Sequence, residues 1–201
     1  MNGADTTGAR PDAAPASDAP PSGPERASPH SMGNRVARVL WGVVYKVLFR
    51  PSPRPCHAWR NWLLRCFGAK LHRTARVYPT AKVWAPWLLE MGERATLGDD
   101  VDCYCVGGVT IGAFTTVSQY TFLCGATHDA DLESFPLLPK PVRIGSWCWV
   151  AADVFVAPGV TIADGVVVGA RSGVFRDLPE WVFAAGTPAR VVRPRNRPRR
   201  A

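Results

Sequence analysis

The stretch from Ile144 to Leu178, IGSWCWVAADVFVAPGVTIADGVVVGARSGVFRDL, puts an aliphatic residue at every sixth position: Ile144, Val150, Val156, Ile162, Val168 and Val174. Four residues after each comes a second compact side chain, at Cys148, Val154, Val160, Val166, Ser172 and Leu178. Gly or Ala follows the aliphatic at Gly145, Ala151, Ala157, Ala163 and Gly169. Neither the helical period of 3.6 nor the strand period of 2 generates this rhythm. A tandem of hairpins in a sandwich would instead show turn signals about every 8–12 residues.

Upstream the same grammar reappears with slips: Val77 and Val83, Met91 (MGERAT), Leu97 (LGDDVD), Ile111 (IGAFTT), Val117 (VSQYTF) and Leu123. Ile144 follows Leu123 by 21 positions, three hexads plus three, and the excess marks a loop over 129–141, which holds Pro136, Pro139 and Pro141. A six-residue repeat with one buried aliphatic and one buried compact residue fits a solenoid in which each hexad forms one side of a triangular prism. About three hexads then make a coil, with parallel strands stacked at ~4.8 Å. The expected fold class is all-β, a parallel β-helix over 77–185. Narrow corners account for Gly, Ala and Asp at the turns.

The flanks differ in kind. Residues 1–34 are Ala, Pro, Gly, Ser and Asp with almost nothing to bury, and are expected to be a disordered tail. Residues 35–76 carry ten Lys or Arg and no acid, and 186–201 carry six Arg and no acid, whereas 77–185 hold twelve acids against six bases. Arg35 to Phe49 (RVARVLWGVVYKVLF) predicts a helix ended by Pro51 and Pro53, and His57 to Phe67 predicts a second, capped by Gly68. The interleaved Trp41, Tyr45, Phe49, Trp59 and Trp62 leave two readings open: the segment caps the open end of the solenoid, or it lies on an anionic membrane surface.

The 201 residues, 47% apolar, suffice for one medium-sized core. No run of apolar residues is long enough to span a bilayer and no signal-peptide core is visible, so a cytoplasmic protein is expected, peripheral at the inner face of the membrane if the basic flank binds lipid. The six cysteines, at 56, 66, 103, 105, 124 and 148, form no C-x-x-C pair and read as small apolar fillers.

LFRPSP (48–53), FGAK (67–70), the hexads, CGATHD (124–129) and AAGTPARVV (184–192) together resemble the hexapeptide-repeat acyltransferases, in particular the colanic-acid-type exopolysaccharide O-acetyltransferases. The similarity spans about residues 35–195. It implies a left-handed winding, an exception to the usual right-handed crossover, a homotrimer with acetyl-CoA in the groove between prisms, a sugar or lipid-linked glycan as acceptor, no metal, and one histidine as base. Of the four histidines, His30 falls in the tail, His57 and His72 in the basic flank, and only His128 stands where the resemblance puts a base. Asp129 next to it either orients the imidazole, contacts the sugar or forms an Asx turn, and Tyr104 is the matching acceptor-side aromatic.

By the same register the coenzyme contacts would be Trp149, Ala152, Gly169, Ala170, Arg176, Arg190 and Arg193. Small residues admit the pantetheine and arginines suit phosphates. Two departures stand out: Cys105 and Val106 follow Tyr104 where relatives often carry an asparagine, and Ala152 replaces a hydroxyl residue of some relatives. Other classes fit less well. A zinc-dependent carbonic anhydrase on this fold needs three histidines and the repeat holds one; nucleic-acid binding, suggested by a pI near 9.6, lacks a recognition module. A serine-type or free-sugar acceptor, or a scaffold without catalysis, is the remaining alternative.

Overall fold

The computed structural model describes residues 32–197. Its centre is a three-faced parallel β-solenoid. The first face stacks Lys70–Leu71, Leu89–Met91, Val109–Ile111, Val142–Ile144 and Thr161–Ile162. The second stacks Arg76–Val77, Thr96–Leu97, Thr116–Val117, Trp149–Val150, Val167–Val168 and Val182–Ala185, and the third Lys82–Val83, Asp102–Tyr104, Phe122–Cys124, Phe155–Val156 and Gly173–Val174. The six-spaced aliphatics point inward on successive faces, and Ile144, Val150, Val156, Ile162, Val168 and Val174 are at most 2% exposed. Each is worth roughly 1.5–3 kcal/mol of burial, so the sixfold spacing is the core written along the chain.

The upstream slips have one location. From Val83 to Met91, from Cys103 to Ile111 and from Leu123 to Ile144 the chain takes extra residues, always on passing from the third face to the first. A 3-10 turn at Pro86–Leu88 fills the first of these, and a tight turn through Gly107 and Gly108 the second. The third is an antiparallel hairpin, Ala126–His128 against Leu137–Pro139. The stretch 129–141 is thus not wholly loop, because its second half pairs back on the strand that bears His128.

Small residues follow the buried aliphatics because coils touch there, not because corners are narrow. A Cβ on Gly112 would collide with the backbone of Gly145 and Ser146. The corners do carry Asp100, Asp153, Gly159 and Gly165 in the left-handed region, as expected, but also large side chains, Phe114 (φ 58°), Tyr120 (φ 61°), Trp147 (φ 61°) and Arg171 (φ 58°) among them. That conformation costs about 1–2 kcal/mol per residue, but it turns the amide toward the preceding coil: Phe114 N donates to Glu93 O at 2.7 Å and Trp147 N to Ala113 O at 2.8 Å. The Phe114 and Trp147 rings then stack at 4.4 Å.

Helix α1 (Met32–Val44), continued by a π-helical turn Tyr45–Phe49, and helix α2 (His57–Cys66) close the N-terminal end. Three boundaries shift relative to the sequence pattern. Helix α1 already includes 32–34, which composition assigns to the tail; residues 1–31 lie outside the described residues. Strand pairing starts at Lys70, inside the basic flank, since Leu71 and Val77 are already core. Within 186–201, Arg190–Pro194 forms an antiparallel strand on Val182–Ala185; this pairing is made by backbone, and its side chains are all exposed.

Candidate active site

His128 ends the first strand of the hairpin that leaves the edge between third and first faces, and its ring is exposed. Gly125 opens this excursion. Its carbonyl accepts from Gly107 N and Lys140 N, both at 2.9 Å, and a side chain at Gly125 would press on Tyr104 O. Across the hairpin, Nδ1 of His128 lies 3.0 Å from Phe135 O, and the imidazole stacks on the Phe135 ring at 4.4 Å and 8°. A carbonyl only accepts, so Nδ1 carries the hydrogen of that bond, and in the neutral ring Nε2 is left with its lone pair. The ring is held in one tautomer and one plane, as a general base requires.

Asp129 does not supply this orientation. Its Oδ1 accepts from Asp131 N at 3.1 Å, an Asx turn, and its own N–H donates to Pro136 O at 3.1 Å. The orienting group is the Phe135 carbonyl. Sequence pattern gave no sign of it, because a backbone carbonyl brought across a hairpin leaves no residue-type trace.

Tyr104 sits one coil below the base of the hairpin, in register with Cys124. Its ring belongs to an aromatic column along the third face: Trp84–Tyr104 at 5.6 Å, Tyr104–Phe122 at 6.3 Å, Phe122–Phe155 at 5.7 Å and Phe155–Phe175 at 5.6 Å. Burial pushes the Tyr104 phenol and the Cys124 thiol up, so both stay protonated at neutral pH. Cys105 points inward and bonds the backbone of Ala85, which removes it from the acceptor side.

The proposed coenzyme contacts fall into two groups. Arg176 and Arg190 line one pocket of about 250 Å³ with Phe175, Thr187, Pro188 and Ala189. Trp149, with Nε1 donating to Ser118 Oγ at 3.0 Å, belongs instead to the second face, as does Arg193, stacked over Phe183 at 5.3 Å. Gly169 ends that face beside Ala185 and Phe183, and Ala152 and Ala170 lie at the corner beyond it, where Arg171 N donates to Ala152 O at 2.9 Å. Within one chain this second group is separated from the edge that carries His128 by the whole third face. Among the described residues no group of three His, Cys, Asp or Glu converges as a metal site, and no helix is long and apolar enough to cross a membrane.

A three-faced hexad solenoid with a histidine-bearing hairpin at one edge defines a class, and the chain belongs to it: the hexapeptide-repeat acetyltransferases of the colanic-acid type. It is 47% identical over 163 residues to the colanic acid biosynthesis acetyltransferase WcaF of Escherichia coli (strain K12), covering 81% of this chain and 90% of that protein. Among solved structures it is similar to galactoside acetyltransferase in complex with coenzyme A (27% identity, TM-score 0.70, 84% of this chain and 86% of that one). It is also similar to the hexapeptide-repeat acetyltransferase VCA0836 of Vibrio cholerae complexed with acetyl coenzyme A (25% identity, TM-score 0.71, 83% and 91%). No protein-family model matches the chain.

Proposed function

We propose that this protein is a homotrimeric O-acetyltransferase that moves the acetyl group of acetyl-CoA to a hydroxyl of a sugar or lipid-linked glycan in cell-surface polysaccharide synthesis. The observation that carries the reading is the Nδ1 contact of His128 with Phe135 O, which leaves Nε2 as acceptor. Nε2 takes the proton of the acceptor hydroxyl as its oxygen attacks the thioester carbonyl. The C–S bond then breaks, and the imidazolium returns the proton to the departing thiolate. A backbone N–H of the stacked coils suits the role of oxyanion donor.

Acetyl-CoA as donor is supported by the acetyl coenzyme A and coenzyme A complexes of the solved relatives, and a polysaccharide acceptor by the E. coli relative's assignment to colanic acid biosynthesis. Arg176 and Arg190 suit the coenzyme phosphates, with Phe175 and Pro188 as an apolar floor. Trimerisation is supported by the separation of the two residue groups: heterologous closure at three would set the His128 edge of one prism against Trp149, Ala152, Gly169 and Ala170 of the next. The aromatic column of the third face, ending at a half-exposed Phe175, suits burial against a neighbour.

His128→Ala tests the mechanism. Acetylation should drop by roughly 10²–10⁴-fold while coenzyme A binding, measured by calorimetry, persists. Turnover within a few-fold of the parent overturns the assignment. Arg176→Ala should raise KM for acetyl-CoA with kcat little changed.

A further inference from the structure

Helix α1 and the π-helical turn after it carry two apolar faces. One, with Trp41, Tyr45 and Phe49, packs on the end of the solenoid. On the opposite side Val36, Val39, Leu40, Val43 and Val47 follow at helical spacing and remain between 56% and 67% exposed. Single exposed aliphatics are ordinary on a protein surface; a continuous stripe is not. The stripe has a definite edge chemistry. Arg35, Lys46 and Arg50 flank it, all exposed and none in an ion pair among the described residues, and the segment 35–76 contains no acid.

At its C-terminal end the stripe runs into a pair of indoles. Trp59 and Trp62 stack at 5.1 Å and are 41% and 52% exposed, and Trp59 Nε1 donates to Leu48 O at 3.1 Å, which fixes the pair to the end of the helix. The chain itself offers little to cover this surface, because residues 1–31 contain no Val, Ile, Leu, Phe, Tyr or Trp. Aliphatic stripe, basic rim and half-exposed tryptophans are the three parts of an interfacial helix.

We propose that this face docks on an anionic phospholipid bilayer, with α1 parallel to the membrane plane. The stripe then lies beneath the headgroups, Arg35, Lys46 and Arg50 reach lipid phosphates, and the Trp59–Trp62 pair sits at the polar–apolar boundary. The opposite face of α1 stays on the solenoid, so docking needs no unfolding of the cap. This surface is separate from the His128 edge, and the proposal does not depend on the catalytic reading.

The test is co-flotation of the full chain with vesicles of phosphatidylcholine containing phosphatidylglycerol, against vesicles of phosphatidylcholine alone, with mass in solution followed by light scattering. The protein should float with the anionic vesicles, and less so at high salt. Arg35→Gln with Lys46→Gln should weaken binding roughly fivefold per charge removed, and Val39→Asp with Val43→Asp should abolish it at unchanged oligomeric mass. Absence of flotation with anionic vesicles overturns the proposal. So does a Val39→Asp, Val43→Asp protein that loses subunits but still floats, which would make the stripe a contact between copies.

Discussion

The two ends of the solenoid face the same problem and meet it differently. Along the faces backbone bonds tie coil to coil, as from Thr96 N to Thr115 O and from Trp149 N to Val166 O, and where the stack stops the first and last coils are left with backbone groups that lack this partner. At the N-terminal end spare carbonyls are met by side-chain donors. Trp41 Nε1 binds Val83 O at 2.7 Å, Arg60 Nε binds Val77 O at 2.7 Å, Asn61 Nδ2 binds Ala75 O at 2.6 Å and Arg65 Nη2 binds Leu71 O at 3.0 Å. At the C-terminal end the strand Arg190–Pro194 covers Val182–Ala185 through backbone pairing, with Arg193 stacked over Phe183 as its side-chain contact. A donor-rich cap has no use for carboxylates, which accounts for part of the acid-free segment 35–76.

The most damaging way to probe this contrast is Arg60→Met. The Arg60 side chain is fully buried, and its guanidinium also bonds Ser52 Oγ, Pro53 O and Arg54 O. Methionine keeps the apolar stem but removes the donor to the buried Val77 carbonyl and to the part-buried carbonyls of Pro53 and Arg54. We expect a loss of about 3 kcal/mol or more in urea unfolding, and a loss below about 1 kcal/mol would show that the cap contributes little.

The core was legible because burial repeats: a periodic demand leaves a periodic trace, and Ile144 through Val174 carry it without a slip. What was missed is aperiodic or made by backbone. The strand Arg190–Pro194 buries no side chain, so RVVRP bears no strand pattern, and the left-handed corners keep the sixfold spacing at Trp147, Asp153, Gly159, Gly165 and Arg171 but with residue types too varied to reveal the backbone conformation. Of the candidate site, His128 is singled out through resemblance to a family, while its tautomer rests on the Phe135 carbonyl. Helix α1, apolar on two sides, offered a choice between cap and membrane that periodicity cannot make; the structure uses Trp41 and Phe49 for the cap and leaves Val39 and Val43 outside.

A milder probe acts near the other end. Asp177 Oδ1 accepts from Thr161 N at 2.7 Å at an exposed site. Asp177→Ala removes one charge-assisted bond where water can replace it, so about 1 kcal/mol is expected. An effect equal to that of Arg60→Met would erase the distinction between a side-chain cap and a backbone one.

The smallest effect is a pH dependence confined to the N-terminal end. His57 Nδ1 lies 3.1 Å from Val77 O, a contact that favours the charged ring, but burial, reinforced by the nearby Arg60, Arg76 and Arg54 charges, outweighs it and holds the pKa below the usual 6.5. The folded state therefore binds this proton less readily than the unfolded chain, so the contribution is complete above the unfolded pKa and is lost as pH falls through the folded one. Urea midpoints should decline from pH 7.5 to pH 5.5 more steeply in the parent than in His57→Gln, whose side chain can still donate to Val77 O without titrating. Equal slopes in the two proteins would mean that the imidazole is solvated, and that the N-terminal cap is wetter than its bonded donors imply.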